Sequence, residues 1–189
     1  MKLGCLLALL FAVAMPLVVH AAVDNDGYDD ATIRASDIPT DAPLFSAYPA
    51  KAFAGSNAKL KVGNDLEVRR YRTRLREWST RKVNFAGHYI LATWGCGTDC
   101  VQIMFIDAKS GKVFHPAGIR SNVAVNVHDD MLEGGRSWHG EGSVHFQPNS
   151  KLLVLFGAPE EDMARRGISY YVWHNEQLKL IRHVAKPDH

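Results

Sequence analysis

The sequence predicts a mainly β protein built from antiparallel meander sheets with one amphipathic α-helix. Short runs of strand-forming residues recur through the second half of the chain, separated by glycine-rich or polar turns. Apolar residues recur at helical spacing in one convincing stretch, 64–78. Two blocks, 88–113 and 152–181, share the plan of strand, loop, strand, tight turn and strand, so propeller-blade-like units are an alternative arrangement of the same strands.

The first 21 residues have the pattern of a secretory signal peptide. Lys2 precedes an uncharged apolar run, and Val19-His20-Ala21 places small residues before a cleavage point near Ala21 or Ala22. The apolar run is short beside the roughly 20 residues of a membrane-spanning helix. We therefore expect a periplasmic or secreted protein of a Gram-negative bacterium, with no membrane anchor after cleavage.

The rest of the chain divides into an acidic segment and one domain. Residues 22–43 carry six aspartates against one arginine, which is typical of a solvated, flexible leader. Residues 44–189 have the length of a single domain and are assigned to one β-rich domain. The 22 Lys and Arg against 20 Asp and Glu give a formal net charge of +2, so composition does not require an anionic partner.

The strands are predicted from runs of β-branched and aromatic residues. The first pair covers 89–94 and 101–106, joined by a short loop that contains glycines. A turn with Gly111 at a positive-φ position leads to a strand at 112–115. Weaker strands are expected over 119–128. Four further strands are predicted at 143–147, 152–157, 169–174 and 177–184.

The helix predicted over 64–78 has a basic surface. Asn64 or Asp65 can cap its N-terminus. Its apolar stripe consists of Val68, Tyr71, Leu75 and Trp78. Residues 59–82 contain nine basic residues against three acidic ones. We interpret this as a solvated basic face near the acidic leader or anionic envelope components, because an exported protein is not expected to bind nucleic acid.

Two of the three cysteines, Cys96 and Cys100, remain once the signal peptide and Cys5 are removed. An even number in an oxidising compartment favours a disulfide, and so short a ring stabilises the fold by only about 2 kcal/mol. A thioredoxin-type redox site has two intervening residues and a helix N-terminus, unlike this hairpin. Zinc binding, or a nucleophilic cysteine beside His88, are further alternatives. We therefore predict a Cys96–Cys100 disulfide that shapes the loop locally.

The motifs around the cysteine pair resemble those of a known family. NFAGHY, WGCGTDC and the following SGKV turn resemble the pattern of secreted proteobacterial proteins with no assigned activity. With YRTRLRE upstream and FQPNSKLLVLFG and YYVWHNEQLKLI downstream, the resemblance covers 44–184. The architecture is more loosely similar to periplasmic immunity or lysozyme-inhibitor-like proteins. The first resemblance implies export but no mechanism, and the second implies an immunity or inhibitor role, although no inhibitory motif can be matched residue by residue.

The loop around the cysteines is the candidate binding surface, because a stapled loop loses less entropy when it binds a partner. A second glycine-rich loop is expected to join it. The candidate residues of the two loops are Trp94, Gly97, Thr98, Asp99, Trp138 and His139. In the competing interpretation Trp94 packs in the core and the ring merely ends the sheet.

An enzymatic function is the alternative. On a strand, His139, Glu141 and His145 would share one face and could bind zinc in a small metal-dependent envelope hydrolase. Glycines between them weaken the strand, and a fourth ligand is not evident. The G-x-S-x-G motif of serine hydrolases is absent from the sequence. We therefore predict a binding protein without a cofactor, acting on a protein or cell-envelope ligand as an inhibitor or immunity factor. The sequence does not determine its oligomeric state.

Overall fold

The computed structural model of the protein describes residues 31–128 and 142–186. Within these residues the protein is mainly β, as predicted: eight strands form one antiparallel sheet, accompanied by two short α-helices. Several sequence predictions lie outside the described residues: the signal peptide (1–21), the first part of the leader (22–30), Trp138, His139 and Glu141.

The strands follow the predicted runs closely. They are β1 (Tyr89–Gly97), β2 (Cys100–Asp107), β3 (Val113–Phe114), β4 (Ser121–Val123), β5 (Val144–Phe146), β6 (Leu152–Pro159), β7 (Gly167–His174) and β8 (Gln177–Ala185). Local alternation and turn residues specify these elements, which is why the sequence predicts most of them. The largest difference is the stretch 119–128, of which β4 is the only strand that forms.

One continuous sheet contains all eight strands, in the order β1-β2-β4-β6-β7-β8, with β3 paired to β2 and β5 paired to β6. The two blocks that suggested propeller blades therefore lie in the same sheet. β4 joins them, because its three residues pair with 100–102 of β2 and two of them pair with Ala158 and Pro159 of β6. The arrangement is a meander of two halves, β1–β3 and β5–β8. The two halves meet at a narrow seam that is formed by β4 and the strand ends paired with it.

Three apolar clusters hold the layers together. The central cluster lies between the two halves of the sheet and combines Leu91 and Phe105 with Leu155 and Trp173. Phe105 and Trp173 stack with ring centroids 4.8 Å apart, so residues of β2 and β7 pack directly against each other. The second cluster covers the outer face of β6 and β7, and the third covers the outer face of β1 and β2.

The predicted single helix is divided at Tyr71 into α1 (Leu66–Arg70) and α2 (Arg72–Ser79). The side chain of Asp65 accepts hydrogen bonds from the N–H groups at positions 67 and 68, as expected of a capping residue. Tyr71 has φ −98° and ψ 13°, outside helical geometry, and its ring packs against Trp94. Val68 and Leu75 are buried against the sheet, so both helices use the predicted apolar stripe.

Residues 31–43, the described part of the predicted acidic leader, are only partly solvated: the first three are buried, and Ser36, Thr40 and Asp41 are exposed. Ile33 is fully buried in the second cluster and pairs with Val127 as a parallel bridge. Asp37 accepts from Lys186 Nζ at 2.9 Å. The two apolar isoleucines in this stretch, at 33 and 38, contribute to the outer layer, and burial of such side chains outweighs the local acidic character.

Candidate functional site

The candidate site is the tip of the β1–β2 hairpin. The strands remain in register from Tyr89↔Asp107 to Gly95↔Val101, and a bulge then brings Gly97 opposite Cys100. Thr98 and Asp99 form the two-residue turn, with Asp99 at φ 53°. Aspartate tolerates this left-handed conformation better than most residues, because its short side chain bonds locally.

The predicted disulfide between Cys96 and Cys100 is present and closes the tip. The two Cα atoms are 5.2 Å apart, in the usual range for a bridge. Residues 95–99 are exposed, whereas Cys100 is half-buried. The loop closed by the disulfide therefore exposes residues 96–99 to solvent, while Cys100 remains part of β2.

Trp94 supports the tip from below. Its side chain is 8% exposed and belongs to the cluster between the sheet and the helices. Its ring lies 5.1 Å from that of Tyr71, with the planes inclined by 53°. Of the two interpretations offered for Trp94, its placement matches packing in the core. Trp94 therefore fixes the base of the hairpin, and of the residues predicted for this loop Gly97, Thr98 and Asp99 are exposed.

The tip is also fixed from the side. The Ala124 N–H donates to the Asp99 carbonyl at 2.8 Å, and Cys100 pairs with Val123 of β4. The turn is thus held by the disulfide, by β4 and by Trp94 beneath it. A loop held from three directions enters a complex with little further loss of conformational entropy.

In the β6–β7 connection, Glu161 lies beside the tip and its neighbour Glu160 lies beside the start of β4; neither was among the sequence candidates. A carboxylate oxygen of Glu161 is 3.9 Å from Cys100 Sγ. The Glu160 carboxylate accepts from the Arg120 N–H. The acidic loop that contains Glu161 therefore lies near Asp99 and Cys100, although it is about sixty residues away in the sequence. Only the sheet order, which brings β6 beside β4 and β2, creates this proximity.

The acidic pair has an unusual backbone. Glu160 and Glu161 both adopt positive φ, 59° and 60°, a conformation that costs most non-glycine residues about 1–2 kcal/mol each. Hydrogen bonds from Glu160 N to the Ser121 carbonyl and from Glu161 N to the Ala158 carbonyl hold the turn. The backbone of the two glutamates therefore has a defined position beside β4.

The zinc alternative requires His139, Glu141 and His145 to converge, and only His145 is described. Its imidazole is 2% exposed and packs edge-on against Phe156, with centroids 4.7 Å apart. Among residues 31–128 and 142–186, no group of three His, Cys, Asp or Glu side chains has the geometry of a metal site. The zinc site remains a prediction.

Within 31–128 and 142–186, Ser169 lies beside His183, and Ser110 shares the Asp107 carboxylate with His88. The Ser169 hydroxyl lies 3.0 Å from His183 Nδ1, but Ser169 is 2% exposed. The Ser110 hydroxyl donates to the Asp107 carboxylate and not to His88, which is 3.8 Å from the same carboxylate. Burial, aided by Lys109 and opposed by Asp107, lowers the pKa of His88. Neither arrangement offers an accessible hydroxyl to a base.

Comparison of the chain with family models, with curated proteins and with solved structures found no match. None of the helices in 31–128 or 142–186 has the length and apolarity needed to cross a membrane. The disulfide is compatible with an oxidising, extracellular compartment.

Proposed function

We propose that this protein is an exported binding protein whose disulfide-closed tip contacts a partner protein, in the manner of an inhibitor or immunity factor. One observation supports the proposal above all: the tip is exposed, yet it is fixed by the Cys96–Cys100 bond, by β4 and by Trp94. Such preorganisation contributes little to global stability, since a ring this short adds only about 2 kcal/mol. Its value lies in recognition.

The charge around the tip indicates what the partner presents. Asp99 and Glu161 are exposed acidic residues on neighbouring loops, and the half-buried Glu160 accepts a hydrogen bond from the Arg120 N–H. A partner with arginine or lysine side chains opposite these carboxylates would gain charge-assisted hydrogen bonds and a faster encounter. The proposed ligand is therefore a protein of the cell envelope with a basic contact surface.

The first step of the test identifies the partner. The mature chain, immobilised through its C-terminus, is incubated with envelope extract of the source bacterium, and retained proteins are identified by mass spectrometry. The candidate is then purified, and its binding to the wild-type chain is measured by calorimetry. The proposal requires direct 1:1 binding between the purified proteins.

Substitutions at the tip then test the contact surface. Asp99→Arg is expected to weaken binding by about 100-fold, because it reverses a charge at the centre of the contact. Asp99→Asn keeps a residue that tolerates φ 53°, and Glu161→Gly relieves a left-handed glutamate, so neither variant should lose stability. Both should still weaken binding by about tenfold.

The matched control is Glu77→Arg, which makes the same charge reversal at an exposed position of α2. Its affinity should remain within about threefold of the wild type, since distant surface charges act weakly. Unchanged binding by Asp99→Arg, or equal loss in the Glu77→Arg control, would refute the tip as the contact surface.

A further inference from the structure

We propose a second binding site, a basic groove that accepts an extended acidic peptide segment of a partner protein. The basic groove lies between residues 53–62 and residues 76–83, where the end of α2 meets the following loop, and it encloses about 870 Å³. It contains none of the tip residues. The proposal of a second binding site therefore does not depend on the function proposed for the tip.

Hydrogen bonds hold both walls of the basic groove in place. The Asn57 side-chain amide donates to the carbonyls of Ser79 and Arg81, both at 2.8 Å, and so ties one wall to the other. Ala58 N donates to the Ala108 carbonyl, and Lys61 N donates to the Gly111 carbonyl, both at 2.7 Å. The groove is thus formed before a ligand arrives, which reduces the entropy lost on binding.

The charged residues lining the basic groove all have the same sign. They are Lys59, Arg76, Arg81 and Lys82. Within the described parts of the chain none of them forms an ion pair, and all four are exposed. The Arg81 guanidinium lies 3.9 Å from the centre of the Trp78 ring, which fixes its position without neutralising it. Gathering cations without counter-charges is unfavourable, and an anionic ligand relieves the repulsion.

The lining of the basic groove is also apolar, which distinguishes the ligand from a bare polyanion. Leu60, Val62 and Val83 are half-buried against the third cluster and still contribute to the groove surface, next to Phe53. A phosphate backbone has no apolar groups that could contact this lining. A peptide with alternating acidic and apolar side chains can direct carboxylates to the rim and apolar groups to the lining.

Fluorescence anisotropy tests the proposal with a defined probe. The probe is a fluorescein-labelled octapeptide of the repeated sequence Glu-Leu-Asp-Val, titrated with the full mature chain. Binding is expected to weaken by about tenfold when salt is raised from about 50 mM to about 500 mM, because the rim charges are exposed. Lys59→Glu combined with Arg76→Glu, one from each wall, should weaken binding by about tenfold or more.

The matched control is Arg69→Glu combined with Arg72→Glu, which changes net charge equally on exposed helix positions outside the basic groove. Its affinity should remain within about threefold of the wild type. Equal losses in the two double variants would show a diffuse charge effect and overturn the groove as the site. An unfolded variant is identified by circular dichroism and replaced by the single change Arg76→Glu.

Further measurements distinguish an acidic and apolar peptide from the other possible ligands of the basic groove. A Glu-Ser-Asp-Ser octapeptide should bind more weakly than the apolar version, and equal affinity would overturn the role of the apolar lining. Tighter binding of single-stranded DNA or of phosphatidylglycerol vesicles would replace the peptide by another anion. Concentration-dependent dimerisation in sedimentation velocity, abolished by the Lys59 and Arg76 double variant, would assign the groove to a second copy of this chain and overturn the partner protein.

Discussion

Asn84 completes the outer edge of β1 by binding both backbone groups of Leu91. Its side-chain oxygen accepts from Leu91 N at 2.7 Å, and its side-chain nitrogen donates to the Leu91 carbonyl at 3.0 Å. An amide can make this pair of bonds because it carries one donor group and one acceptor group, as a neighbouring strand would. Asn84 is the first residue of the NFAGHY motif, so part of that motif has a structural role.

Asn84→Asp is expected to lower the free energy of unfolding by about 1–3 kcal/mol, because a carboxylate cannot donate to the Leu91 carbonyl. Urea denaturation followed by circular dichroism measures the change. Asn64→Asp, at an exposed position before α1, is the control and should change stability by less than about 0.5 kcal/mol. A wild-type midpoint in Asn84→Asp would show that the edge bonds contribute nothing.

Removal of the disulfide should separate stability from recognition. Cys96→Ser combined with Cys100→Ser is expected to reduce the free energy of unfolding by no more than about 2 kcal/mol, since the closed loop is short. Binding of the purified partner should weaken by about tenfold, because the loosened tip must be ordered on binding. Urea midpoints and calorimetric titrations measure the two effects. A large loss of stability with unchanged affinity would assign the bond to the fold alone.

Acid should destabilise the protein through histidines that are neutral in the folded chain, of which His88 and His115 are half-buried and His183 is exposed. The Gln102 side-chain nitrogen lies 2.8 Å from His115 Nε2, and since an amide nitrogen only donates, that imidazole nitrogen must accept. Burial and the charge of Arg120 lower the pKa of His115, against the opposing effect of nearby carboxylates. Burial likewise lowers the pKa values of His88 and His183.

The direction follows from proton uptake. Because these pKa values are lower in the folded chain than the usual value of about 6.5, the unfolded chain takes up protons first as pH falls. The free energy of unfolding therefore decreases below about pH 7 and continues to fall until the folded pKa values are passed. Thermal unfolding at several pH values measures the slope. His115→Gln should flatten it, and an unchanged slope would contradict the contribution of this residue.

Arg166 is a buried anchor at the end of the sheet. Only 1% of its surface is exposed, and its guanidinium donates to the carbonyls of Val125, Asn126 and Lys186. Arg166→Leu should lower the free energy of unfolding by about 3 kcal/mol or more, because three carbonyls lose a charged donor. Arg166→Lys should recover only part of this, since an ammonium lacks the planar fork of donors.

The matched comparison for Arg166 is Arg72→Leu, in which the arginine is exposed at the start of α2. Its unfolding midpoint in urea should remain close to that of the wild type, because exposed substitutions usually change stability by less than about 0.5 kcal/mol. Equal losses in the two variants would contradict the role of the buried hydrogen bonds.

The fold was predictable where its signals are local. Alternating apolar residues, glycine-containing turns and the two nearby cysteines define the β1–β2 hairpin and the β6–β8 meander. The order of strands was not predictable, because it depends on pairings such as Asn122↔Pro159 that no local pattern records. The burial of Ile33 was missed for a related reason, because the six aspartates of the leader dominate its composition and conceal a single isolated apolar residue.

The candidate site was predictable in part for the same reason. Gly97, Thr98 and Asp99 adjoin the cysteines in sequence, so the stapled loop could be proposed directly. Glu161 reaches the tip only because the sheet order places β6 beside β4 and β2. The basic residues of the groove were visible as a charge run, but the groove itself requires Asn57 to join two segments more than twenty residues apart.

The short strand β4 gives partner binding a thermodynamic consequence. Asn122 is fully buried there and donates to the Phe156 carbonyl and the Ser143 hydroxyl, while its neighbour Val123 pairs with Cys100 at the foot of the tip. A ligand that touches the tip and the acidic loop together bridges both halves of the sheet. If the proposed partner binds only the folded chain, it stabilises the native state by an amount that increases with its free concentration relative to Kd. A partner that contacts both halves of the sheet would hold them together, and the unfolding temperature would rise as the concentration of the partner increases.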